Sequence, residues 1–343
     1  MRIPFRVSGL CVAALACTLL EGTSASAQMF ESVGTRAQGM GGAFIAVSDD
    51  ATATWWNPAG LASGAFLSAI VERGQLREPA DPSVGEPAWR NGTSGFAVAY
   101  PALGISYYHL RVSEIRRSDS IGAAEPGRQD QGTTDVLVRS VATSAFGATF
   151  GQSIGNHVVV ASTVRLLRAG AVVSGDASAS DALDLADEAA VERETETDLD
   201  LGVMLRFKGV KLGGALKHLR EPAFGSGSNR IVLKRQARAG VAFTRGKTGV
   251  FDSMIAAVDV DLTDRAVSPD VVRRVAAGGE IAMLRKRVSL RYGLSSPSMG
   301  ERQWIASTGA SLGLQQGIFV DGAVTPGAGA SRAGWSVSLR SSF

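Results

Sequence analysis

Residues 334–343, "GWSVSLRSSF", end the chain, and their reading governs that of the rest. Side chains alternate along an extended strand, so Trp335, Val337, Leu339 and Phe343 share one face. Gly334, Ser336, Ser338, Arg340 and Ser342 share the other, which is the face suited to water. A soluble sheet shows such alternation too. One strand therefore leaves a soluble sandwich and a membrane wall both open.

The same period of two recurs upstream. Leu199, Leu201, Val203, Leu205 and Phe207 alternate with Asp198, Asp200, Gly202, Met204, Arg206 and Lys208. Further apolar faces are Ile231, Leu233, Ala237, Ala239, Val241 and Phe243, interrupted by Arg235; then Met254, Ala256, Val258, Val260 and Leu262; then Trp304, Ala306, Ala310, Leu312 and Leu314. Reading every such segment predicts about fourteen strands, at 63–73, 94–101, 103–113, 134–150, 156–169, 196–208, 209–219, 230–244, 248–263, 270–284, 287–294, 303–314, 317–325 and 333–343. The chain is 45% hydrophobic with 41 glycines, yet after the first residues no apolar run reaches the roughly 20 residues of a membrane helix. Apolar content spread over every second residue is the signature of a transmembrane antiparallel β-barrel, an all-β fold.

The connections add independent weight. Long ones (74–93, 114–133, 170–195, 220–229) alternate with short ones such as "YPAL", "FKGV" and "LQQG". Outer-membrane barrels have an even strand number, short periplasmic turns and long external loops, and here the phase puts both termini on the periplasmic side. The longest loop, within 170–195, carries Leu183, Ala186, Ala190 and Val191 at helical spacing among carboxylates, the pattern of an external helix or of a solvated loop.

At the other end, Arg2 and Arg6 precede an apolar stretch from about Val7 to Leu20 and the small residues Ala25-Ser26-Ala27. That pattern predicts a secretory signal over 1–27, with the barrel at 63–343 in the bacterial outer membrane. A lipoprotein signal would need a branched apolar residue three places before its cysteine, where Cys17 has Ala14. Cys11 and Cys17 both lie in this leader, so the mature chain has no thiol for a disulfide or a metal. The pI of 9.0 does not point to nucleic acid, because the formal net charge is only +3 and basic clusters are not interleaved with aromatics.

Residues 28–62 are too few for a domain and too apolar for a disordered tail, with Met29, Phe30, Met40, Phe44, Ile45, Val47, Trp55 and Trp56. A barrel of about fourteen strands encloses more space than its own side chains fill, so these residues are expected as an N-terminal lumenal plug. Here the sequence also carries a resemblance. "GTRAQGMGGAFIAVSDDATATWWNPAGLA", residues 34–62, is similar to the N-terminal signature of the FadL-like outer-membrane proteins, the superfamily of long-chain fatty-acid transporters, and resembles most the PorV/PorQ branch. The resemblance implies a hatch built on Gly34, Arg36, Gly39, Gly41, Gly42, Asp49, Asp50, Trp56, Asn57, Pro58 and Gly60, to which the apolar Phe44 and Trp55 of the same segment are added. It implies a hydrophobic small-molecule ligand that enters from outside, binds an apolar pocket and leaves by a lateral gap when the hatch shifts. From the PorV side it implies instead a scaffold that docks exported proteins or secretion machinery. Gly95 and Gly104 are the positions at which a strand bend would open the wall.

Trp335, Val337, Leu339 and the terminal Phe343 also resemble the signal by which the outer-membrane assembly machinery recognises its barrels. Arg235 and Arg274 are expected near external strand ends, facing lipopolysaccharide phosphates, while Asp259, Asp261, Arg238, Arg291 and Arg340 are expected to form a lumenal charge network. Chemistry is not indicated. Gly309-Ala310-Ser311-Leu312-Gly313 spells a nucleophile elbow but lies within an alternating strand. His109, His157 and His218 show no ligand spacing, and "GMGGAF" follows no strand, so no enzyme, metal or cofactor is expected.

Overall fold

The computed structural model describes residues 32–78, 89–117, 136–177, 191–226, 230–267, 270–298, 304–327 and 333–343. The expected leader at 1–27, the start of the plug up to residue 31 and the loop positions Leu183, Ala186 and Ala190 lie outside them.

Fourteen strands close into one antiparallel barrel. In chain order they are β1 (Ser68–Glu78), β2 (Trp89–Tyr100), β3 (Leu103–Arg117), β4 (Val136–Ile154), β5 (Val158–Ala177), β6 (Glu194–Phe207), β7 (Val210–Lys217), β10 (Gln236–Arg245), β11 (Phe251–Asp261), β14 (Arg274–Met283), β15 (Val288–Pro297), β16 (Ile305–Gln315), β17 (Ile318–Thr325) and β18 (Ala333–Ser342). Two small hairpins, β8 (Ala223–Phe224) with β9 (Ile231–Val232) and β12 (Arg265–Val267) with β13 (Asp270–Val272), stand outside the ring. The ring closes where β1 pairs with β18, from Ser68 opposite Ser342 to Arg77 opposite Ala333.

Alternation explains the wall. In β18, Trp335, Val337 and Leu339 are 43%, 51% and 54% exposed, while Ser336 and Ser338 are 2% and 5% exposed. The outward face is an apolar belt that only lipid can cover, and closure leaves no unpaired edge in it. The barrel is thus transmembrane.

Five readings from sequence need correction. The first strand begins at Ser68, not 63, because Pro58–Ser63 form a 3-10 helix. The eighth barrel strand begins at Gln236, and Ile231 and Leu233 point inward, fully buried, instead of outward. The tenth begins at Arg274, which faces inward and bonds Ser295, so it is not a lipid-side residue. The 170–195 connection is shorter than expected, since β5 runs to Ala177 and β6 starts at Glu194. Finally, Gly95 and Gly104 mark no break: the β2–β3 register runs unbroken from Trp89 opposite Glu114 to Tyr100 opposite Leu103.

β4 and β5 have 19 and 20 residues, against the roughly 9–11 that cross a bilayer. Their far ends turn polar on the outer parity, at Ser140, Ser144 and Arg168, and His109 of β3 bonds Ser144 there. This sector rises beyond the apolar belt.

Candidate functional site: the occupied lumen

Residues 32–63 touch strands all round the ring and therefore fill its interior. Two short helices, α1 (Thr35–Gly39) and α2 (Ala53–Trp56), precede the 3-10 turn. Neither helix is long enough to hold itself, so tertiary partners satisfy their ends. The N–H groups of Gly34 and Thr35 donate to the two oxygens of Glu72 on β1, at 2.7 and 3.0 Å. The N–H groups of Phe44 and Ile45 both donate to Asp259 Oδ2 on β11, at 2.7 Å each.

Arg36 makes the firmest tie. Its Nε and Nη2 donate to the two oxygens of Glu280 on β14 at 2.7 and 3.0 Å, and Nη1 donates to Asp49 at 2.5 Å and Asp50 at 3.4 Å. Burial by itself would lower the Arg36 pKa, but Asp49, Glu280 and Asp50 outweigh it and hold the guanidinium well above its ordinary value. Arg291 then links Glu280 to Asp321 (2.6 and 3.0 Å), and Arg340 reaches the same Asp321 at 3.0 Å. A chain of alternating charge thus runs from the inner segment through β14, β15, β17 and β18. Arg238 pairs with Asp261 at 2.6 Å on a neighbouring stretch of wall.

The tryptophans are buried to 1% and 0% exposure. Trp56 donates its indole N–H to the Val33 carbonyl at 2.9 Å and packs edge-on to Phe44 at 5.8 Å. Trp55 meets Tyr108 of β3 edge-on at 5.4 Å, with the Lys217 ammonium 3.4 Å from one of its ring centroids and Arg165 at 4.8 Å. Arg165 also holds the Thr54 carbonyl at 2.9 Å. Asn57, extended before Pro58 as proline requires, accepts from the Ala59 N–H and donates to the carbonyls of Ile45 and Val203. Asp50 caps the turn into α2 through the Thr52 N–H at 2.9 Å.

Wall glycines let this backbone in. A Cβ on Gly213 would lie 2.7 Å from the Ile45 carbonyl, and one on Gly293 would collide with Met40 and Gly41. Gly202, Gly278 and Gly309, each on another strand, meet Asn57 and Pro58, Met40, and Gly39 in the same way. Gly104, read from sequence as a bend, instead accommodates Thr54 and Leu61. Within the segment, Gly41 and Gly42 adopt φ of 67° and 84°, and a Cβ on Gly60 would overlap the Ser48 carbonyl.

Beyond Trp55, towards the long-loop end, the lumen turns apolar. Tyr108, Leu110, Val141, Leu167 and Ala169 join one buried cluster with Phe224, Ile231 and Leu233 from the β8–β9 excursion. On the same face of β2–β4, the side chains of Asn91, Thr93, Tyr108 and Thr143 are buried with polar atoms that bond to nothing among the described residues. Such atoms cost about 1–3 kcal/mol each when left unpaired. Sequence reading missed Glu72, Arg165, Lys217 and Glu280; the available signal was a charge on the inward parity of a strand.

Asp198, Asp200 and His218 place ligand-type atoms within 4.8 Å of one another. Both Asp198 oxygens accept bonds, from His218 Nδ1 and the Arg220 N–H, and both Asp200 oxygens do, from the His218 N–H and Arg165 Nε. With a guanidinium already on it, this group is an ion-pair cluster, not a cation cradle. His157 stacks on Phe207 at a short turn. Ser311 sits in mid-strand, so the strand-to-helix elbow its motif requires does not form.

Residues 83–261, just over half of the chain, match the family model described as "F plasmid transfer operon, TraF, protein". The chain belongs to that family. No curated protein matches it in sequence. Among solved structures, the Ralstonia pickettii toluene transporter TbuX is 13% identical, with a TM-score of 0.60 over 92% of this chain and 99% of that one. A Pseudomonas aeruginosa FadL homologue is 12% identical (TM-score 0.56, 90% and 97%), and the monoaromatic hydrocarbon channel CymD is 10% identical (TM-score 0.60, 92% and 98%). At such identities the likeness is one of fold: this family member has the FadL-type fourteen-stranded barrel.

Proposed function

We propose that the protein is an outer-membrane barrel that takes a hydrophobic small molecule from outside into its lumen, with residues 28–62 as the hatch that closes the periplasmic side. The observation that carries this reading is the buried apolar cluster joining Tyr108, Leu110 and Leu167 of the wall to Phe224 and Ile231 of the external excursion, directly above Trp55. Soluble neighbours of a pore would be served by a polar lumen; an apolar one favours apolar guests. The transport and channel titles of the similar barrels agree with it. In this reading residues 1–27 are the export signal, lipopolysaccharide surrounds the rising β3–β5 sector, the assembly machinery reads Phe343, and the protein is not an enzyme. The test is equilibrium binding of a hydrophobic probe to the purified barrel, together with uptake by cells lacking residues 28–62. Absence of binding, with uptake unchanged by the deletion, sinks it.

The second reading, a PorV-like scaffold for exported proteins or secretion components, is favoured by how tightly the hatch is tied. Arg36, Glu72 and Asp259 tie it to β14, β1 and β11, and the β2–β3 register is unbroken. Co-purification of defined protein partners from solubilised membranes, in the absence of ligand binding, would decide for it.

A further inference from the structure

Lumen-facing polar side chains in this barrel are mostly committed to one another or to the inner segment. One patch is not. Along the β2–β3–β4 register Thr93 lies opposite Leu110, and Leu110 opposite Thr143; Asn91 is opposite Val112 one step further towards the long loops, and Tyr108 opposite Gly95 one step nearer Trp55. All four polar residues have the inward parity, with exposures of 1% (Asn91), 5% (Thr93), 0% (Tyr108) and 1% (Thr143). Asn91 Oδ1 and Nδ2, Thr93 Oγ1, Tyr108 Oη and Thr143 Oγ1 bond to nothing among the described residues.

Their chemistry is uniform. Each is neutral, and each can both donate and accept a hydrogen bond. They are set among apolar neighbours: Leu76 opposite Asn91, Leu110 between the threonines, and Val141 and Leu167 beside them. Of the lumenal cations, Arg165 is engaged by Asp200, Arg36 by Glu280, and Lys217 lies over the Trp55 ring with Asp200 and Asp198 as its counter-charges. A carboxylate arriving here would have no free counter-charge, and a pure hydrocarbon would leave the polar atoms unpaired.

Resting on the hydrophobic-ligand reading above, we propose that Asn91, Thr93, Tyr108 and Thr143 form the head site for a neutral, mostly apolar molecule bearing a hydroxyl or carbonyl oxygen. The apolar remainder lies along Leu76, Leu110, Val141 and Leu167.

The test uses the full barrel in lipid nanodiscs and radiolabelled octan-1-ol, octane and octanoate, with empty discs subtracted. Octan-1-ol binds about ten-fold or more tighter than octane and than octanoate. The isosteric variant Asn91→Leu/Thr93→Val/Thr143→Val keeps octane binding and loses the preference for the alcohol; Thr93→Val alone reduces that preference. Equal binding of alkane and alcohol, preference for octanoate, or a preference that survives the triple substitution overturns the head site while leaving the hydrophobic-ligand reading intact. Binding of none of the three probes removes that reading, and the head site with it.

Discussion

Arg36 sits where three carboxylates converge, so its removal is costlier than the loss of one surface pair. In Arg36→Met, Glu280 keeps Arg291, but Asp49 and Asp50 lose their nearest cation inside the lumen. Breaking a buried ion pair by deleting one partner costs about 3–5 kcal/mol. Thermal unfolding should register that loss; Arg36→Lys should recover only part of it, since an ammonium cannot span both Glu280 oxygens. Gly293→Val tests the fit of backbone to wall. Its Cβ would meet Met40 and Gly41, whereas a Cβ on Gly322 would meet nothing within 4 Å. Protease should therefore cut the inner segment in Gly293→Val and spare it in Gly322→Val. At this scale the sequence showed which charges face inward, because parity along a strand is local. It could not show that Arg36 pairs with Glu280, 244 residues away, because register around the ring sets that partner.

Elements were legible wherever water lies on one side and lipid on the other. Alternation picked out all fourteen barrel strands. It stopped short at the far ends of β3 and β5, where Arg111, Ser113 and Arg168 stand on the outer parity and the apolar alternation is lost. It also ran two excursions into their strands: residues 231–232 and 270–272 are themselves extended, and the breaks before Gln236 and Arg274 change register without changing composition. The last strand invites a test of its own. Phe343 exchanges backbone hydrogen bonds with Leu67 at 2.9 and 3.1 Å, while its side chain stays 58% exposed on the outside. Little folded-state packing depends on that ring. Phe343→Ser should cut the amount of folded barrel in the membrane several-fold, with the unfolding temperature of the surviving fraction nearly unchanged. A fall in unfolding temperature with normal yield would assign the ring a packing role and not an assembly one.

The barrel as a whole is a shell whose interior holds residues 32–63. The inner segment is bound by Glu72 of β1, Arg165 of β5, Val203 of β6, Asp259 of β11 and Glu280 of β14, and its backbone lies against glycines of β7, β15 and β16 between them. Among the described residues these contacts reach strands all round the ring. Ions should therefore not pass through the intact barrel. Without residues 28–62 the ring loses the chain that fills it, leaving inward serines, threonines, glycines and paired charges beside the apolar cluster of Tyr108, Leu110 and Leu167, a lumen wide enough for water. In planar bilayers the intact protein should give conductance indistinguishable from protein-free membranes, and the protein lacking residues 28–62 should give discrete openings. The deleted form must still show heat-modifiable gel mobility, so that an open ring is distinguished from a collapsed one. Steady conductance from the intact barrel would mean that the segment leaves its seat at equilibrium, and the ties through Arg36, Glu72 and Asp259 would then be those of a working gate instead of a fixed stopper.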